Sequence, residues 1–134
     1  MSMTGQELVE YGCCWISRNY DTFNKIAHLI HIEADNGNPS VQQGDILILA
    51  KKRGLDIGEY PGIKRDRNLW PIITRYCVMR RPKLARVLSF RKSKADKVDM
   101  VAAWHEYVDA NTFFLAKDWK EAQHLVEIGD VSAS

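Results

Sequence analysis

The chain reads as a mainly α protein, a compact single-domain bundle of about five helices over residues 1–134. Three observations carry that expectation. Apolar residues recur at steps of three and four along most of the chain, the spacing that lines one face of a helix. Hydrophobic residues make up 46% and charged residues 27%, which sets the chain among globular proteins rather than disordered ones. At this length about two thirds of the unfolded surface is buried in one core, so a second core is not expected.

The elements follow in order. Thr4 and Glu7 have the spacing of a capping box, in which a hydroxyl accepts an amide proton that the helix start leaves unpaired. A helix is therefore expected from residue 5. Ile16, Tyr20, Phe23, Ala27 and Ile30 step by four, three, four and three, which predicts a helix over about 18–34. Gly12 leaves open whether the two join. Residues 35–39, DNGNP, combine turn formers with a proline and end it. Ser40 and Gln43 repeat the capping-box spacing and predict a helix from 41 to about 53, against the rival of a buried strand over 45–50. Residues 54–64 hold three glycines and a proline and read as a loop.

Leu69, Ile72, Ile73, Tyr76 and Met79 predict a helix over about 67–80, in which Pro71 is harmless if it falls in the first turn. Leu84, Val87 and Leu88 fit either a short helix or a short strand or hairpin near 84–91. Asp96 is placed to cap the next helix, marked by Met100, Val101, Trp104, Tyr107 and Val108. A turn over 109–111 precedes a last helix marked by Leu115, Trp119, Ala122 and Val126, and the tail 130–134 is expected to fray.

Purely apolar runs, such as those over 46–50 and 113–116, fall far short of the roughly 20 residues of a membrane span. No membrane association is expected. The first residues, MSMTGQELVEYG, lack the basic stretch and apolar core of a secretory signal. Three cysteines are an odd number and cannot complete a disulfide framework, so reduced thiols in cytoplasm are expected.

Charge placement is the most informative feature. Residues 51–97 hold 15 Lys or Arg against four acids, a net +11, while the rest of the chain is −9 and the whole only +2. Within it the stretch RRPKLARVLSFRKSKADK, residues 80–97, has eight bases and one acid, Asp96. Two arrangements follow from that asymmetry. Acidic helices bearing Glu106, Asp109, Asp118, Glu121 and Glu127 fold against the basic middle, in ion pairs worth about 0 to 1 kcal/mol each when exposed. Alternatively the basic segment faces outward and meets a polyanion, gaining from released counterions.

Motifs for chemistry are weak. The stretch LAKKRGL, residues 49–55, reads either as a helix ended by an ordinary glycine cap at Gly54 or as a partial match to the first helix and turn of a helix-turn-helix unit, with the helix over 67–80 as reader after a long turn. His28 and His31 share one helical face but His105 and His124 lie far off in sequence, no Cys-x-x-Cys occurs, and adjacent Cys13 and Cys14 point apart on a helix, so no metal or other cofactor is expected. His31-Ile32-Glu33 lacks the Pro-Cys-x-x-Cys companion of zinc deaminases. Cys77 sits on an apolar face as a small core residue. Walker, dinucleotide and nucleophile-elbow patterns are missing. Most aromatic residues should be core, and Trp70, beside Arg67 and Asn68 at a helix start, is the one to watch as an exposed stacking residue.

The expectation is a non-enzymatic nucleic-acid-binding protein, DNA-directed, that contacts phosphates with Lys64, Arg65, Arg67, Arg80, Arg81, Lys83, Arg86, Arg91, Lys92 and Lys94. The alternative is an inhibitor or adaptor, of a mobile genetic element, whose partner is an acidic protein surface on a nucleic-acid-handling enzyme.

Overall fold

The computed structural model describes residues 3–57, 67–107 and 116–127. Among them six α-helices form: α1 (Gly5–Arg18), α2 (Tyr20–Asp35), α3 (Gln43–Lys52), α4 (Leu69–Arg80), α5 (Met100–Tyr107) and α6 (Ala116–Glu127). Two 3-10 turns, Pro82–Arg86 and Lys94–Lys97, lie between α4 and α5. The protein is mainly α, as its periodicity predicts. The expected turn over 109–111, the frayed tail, Lys64 and Arg65 lie outside the described residues.

Each helix start has a local cause. Thr4 Oγ1 accepts the Glu7 amide at 3.1 Å while Glu7 Oε1 accepts the Thr4 amide at 3.0 Å, the reciprocal box that the sequence spells out. The α1–α2 break falls at Asn19, whose N–H reaches back to the carbonyls of Trp15 and Ile16, and this adds a sixth helix to the expected five. Ser40 does not cap α3. Asp45 Oδ2 accepts the Gln42 amide at 2.8 Å, so the start lies two residues later, where an acid can reach back to the chain. Nor does Asp96 cap α5; Asp99 Oδ1 takes the Ala102 amide at 3.0 Å.

Gly12 lies inside α1 rather than at a break, and it sets how near α1 comes to α4. A Cβ at this position would stand 2.7 Å from the Ile72 side chain. Gly12→Val should therefore destabilise the fold by about 1–3 kcal/mol, the usual cost of overpacking, read as a lower urea midpoint at unchanged slope.

The core is one cluster of buried residues drawn from all six helices, from Val9 on α1 to Val126 on α6. At its centre the Trp104 and Trp119 rings meet at a tilt, 4.7 Å between centroids, with Tyr76 5.1 Å from Trp104. Such tilted pairs add about 0.5–1.5 kcal/mol each beyond their area. Helix α4 runs through the middle, packed against α1, α2 and α6, with every residue from Ile72 to Met79 buried. Pro71 falls in its first turn, where a missing N–H costs nothing.

This burial overturns the helix-turn-helix reading. A reader helix must offer a face to the major groove, and α4 is buried on every side from Ile72 to Met79. The strand or hairpin expected near 84–91 is also corrected. Among the described residues no strand forms, because Pro82 opens a 3-10 turn and the next backbone groups find single partners elsewhere. Val87 O accepts the Val41 amide at 2.8 Å, and Arg91 O is taken by a side chain of α4.

Candidate nucleic-acid interface

That side chain is Arg75. It is 2% exposed, and a buried guanidinium must satisfy its donors within the protein. Nε donates to Asp96 Oδ1 at 2.8 Å, Nη1 to Pro71 O at 2.8 Å and Nη2 to Arg91 O at 2.7 Å. The same group lies over the Phe90 ring, 5.0 Å from its centroid. Asp96, itself 7% exposed, also accepts the Ser93 amide at 2.9 Å through Oδ2. One buried ion pair thus ties the basic segment 90–97 to the central helix. Its cations stand on a backbone fixed from below.

The exposed cations then have a definite setting. Arg67, Arg81, Lys83, Arg86, Arg91, Lys92 and Lys94 are all exposed. Among the described residues the ion pairs are Lys25–Asp21, His31–Asp35 and Arg75–Asp96, so no carboxylate clasps any of these seven. Leu84, Val87 and Leu88 turn inward beneath them. Arg80 departs from the expected set: it is half-buried, donates to Asn24 Oδ1 and lies 5.8 Å from the Tyr20 ring centroid. It braces α4 against α2 and does not belong to the outward group.

Between the start of α4 and residues 88–93 runs a groove of about 660 Å³. Trp70 and Arg75 line one side, with Phe90, Arg91, Lys92 and Ser93 on the other. No Asp or Glu lines it among the described residues. Since Arg75 is neutralised by Asp96, its positive character comes from Arg91 and Lys92. Trp70, expected as an exposed residue, is instead half-buried and packed against the core while still lining this wall. Arg75 was legible only as one of 15 bases; its place inside an apolar run was the signal that it is buried.

Two of the three cysteines are core residues. Cys13 and Cys77 are fully buried, and burial pushes both thiols up to about 12. Tyr76 OH donates to Met100 O at 3.1 Å, so in its 2.9 Å contact with Cys13 Sγ the tyrosine oxygen accepts and the thiol donates. Both sulfurs stay protonated and are poor nucleophiles. An unfolded thiol ionises near 9, three units below these, so the stability they contribute is intact below pH 9 and drains as pH rises to about 12. The thermal midpoint should therefore fall above pH 9, and fall less steeply in Cys13→Ala/Cys77→Ala. An equal slope in the two proteins would assign the loss to other groups.

Among the described residues no three His, Cys, Asp or Glu side chains converge as metal ligands would, and no helix is long and apolar enough to cross a membrane. No family model, curated protein or solved structure matches this chain. Its class rests on what the fold and the site define: a mainly α protein bearing a cationic groove beside a braced basic segment.

Proposed function

We propose that this is a small non-enzymatic nucleic-acid-binding protein that grips phosphates through its exposed basic face, in the reducing setting of the cytoplasm that suits three free thiols. One observation supports it most: seven exposed Lys and Arg side chains on and beside the segment 81–94 have no carboxylate partner among the described residues. Unpaired like charges close in sequence repel, and a polyanion relieves that repulsion while releasing its counterions. Bracing by Arg75 and Asp96 means little chain entropy is lost on binding. With α4 enclosed, the contacts fall on phosphates rather than on base edges in a major groove. Fluorescence polarisation with labelled DNA and RNA at low salt tests the proposal. Micromolar or tighter binding is expected, and no binding to either polymer would overturn it.

An adaptor function has one observation of its own. Helix α3 exposes Ile48 at 57% and Leu47 at 38%, beside exposed Lys51 and Lys52, an apolar and basic edge suited to an acidic protein partner. Leu47→Asp/Ile48→Asp should leave nucleic-acid affinity unchanged. A loss of that affinity would join α3 to the nucleic-acid surface and remove the case for a separate partner.

A further inference from the structure

Resting on that reading, we infer that the groove takes a single strand: an unstacked base lies against Trp70, and Arg91, Lys92 and Lys94 hold the flanking phosphates. Shape argues first. A cleft of about 660 Å³ falls in the range of small-ligand sites, with room for a splayed base and none for a double helix. Around this groove, neither α4, buried from Ile72 to Met79, nor the segment 87–93, which forms no strand, offers an element to enter a duplex groove.

Chemistry argues next. Single strands are held by a positive channel that follows the backbone and by aromatic faces on which bases stack. Phe90 is 3% exposed and its ring is covered by Arg75, so stacking falls to Trp70. Trp104 and Trp119 are sealed in the core, and Trp15 does not line the groove. Half-buried Trp70 thus lines the same groove as Arg91 and Lys92, with Lys94 two residues further along. DNA and RNA single strands share the phosphate and the base face, so both sources satisfy the geometry.

Oligothymidylate and oligouridylate of about 15 nucleotides, within the span of known single-strand sites, are titrated against a duplex of equal length. The single strands should bind about tenfold more tightly than the duplex. Trp70→Ala should weaken single-strand binding about tenfold, in keeping with the loss of one stacked base, and leave duplex binding unchanged, while Trp70→Phe keeps most of the affinity. In the unaltered protein the bound strand should shield Trp70 from acrylamide quenching, a readout that does not depend on a variant folding. A preference for one sugar identifies the source and supports the inference either way. Equal duplex binding, with no effect of Trp70→Ala and no shielding, overturns the single-strand inference and leaves phosphate binding standing. Failure of every polymer to bind overturns both.

Discussion

Asp96→Ala should lower the free energy of unfolding by about 3–5 kcal/mol, the cost of leaving a buried charge without its partner. That is a large part of the 5–15 kcal/mol that holds a typical domain together. The guanidinium of Arg75, 2% exposed, would keep its bonds to Pro71 O and Arg91 O but lose the only formal countercharge it touches among the described residues. The Ser93 amide would lose its acceptor as well. Arg75→Met should cost a similar amount, since it strands the carboxylate and frees two carbonyls. Because the two side chains act as one unit, Arg75→Met/Asp96→Ala should cost much less than the two single losses added together. Urea unfolding of the four proteins gives the cycle. Strict additivity would mean that the pair does not anchor the basic segment.

Charge reversal at the groove should have the largest functional effect. Arg91→Glu/Lys92→Glu/Lys94→Glu removes three exposed cations and sets three carboxylates facing the polymer. With a salt slope of about 0.9 per phosphate contact, three lost contacts at moderate salt should cost at least 100-fold in affinity. The same protein should unfold at an unchanged urea midpoint, because surface charges unpaired in the fold contribute within about 0.5 kcal/mol. Reversal at Arg80 is a different experiment: its guanidinium bonds Asn24 and lies over Tyr20, so Arg80→Glu should lower stability first. Retention of the triple variant on a nucleic-acid column at moderate salt would count directly against the interface.

The helices were legible because their signals are local. The Thr4/Glu7 box and the four-three stepping from Ile16 to Ile30 act within one turn or one face, and α1 and α2 realise both. Trp119, Ala122 and Val126, fully buried on α6, were picked out by the same spacing. Caps were misread where two candidates stood close: Ser40 against Gln42 with Asp45, and Asp96 against Asp99. At α3 the acid that won lies inside the first turn, Asp45 reaching back to the Gln42 amide, whereas at α5 Asp99, the residue just before Met100, takes the Ala102 amide ahead of it. Of the two readings of residues 49–55, the glycine cap is the one realised, Gly54 standing at φ 63° after α3, and α4 is no reader helix. Its apolar density from Leu69 to Met79 marks a helix enclosed on all sides, which weighs more than a glycine four positions after an alanine.

The site was half legible. Charge counting found the exposed cations and composition pointed to Trp70, but neither could show which base turns inward. A lone acid in a run of eight bases, Asp96, and a lone base in an apolar run, Arg75, are the two anomalies that pair across 21 residues. Such a pairing is set by the packing of the turn Lys94–Lys97 against α1 and α6, which no local pattern encodes. The groove has the same origin, being made where separate segments fail to meet.

The most direct measurement is the salt dependence of nucleic-acid binding. With three to five of the exposed cations engaged, the logarithm of the association constant should fall with the logarithm of salt at a slope of about −2 to −4.5, the range that 0.7 to 0.9 per phosphate gives for single strands and duplex. The triple charge reversal should flatten that slope by about two or more units. A slope near zero, or one that the reversal leaves unchanged, would mean that the basic face does not meet phosphates.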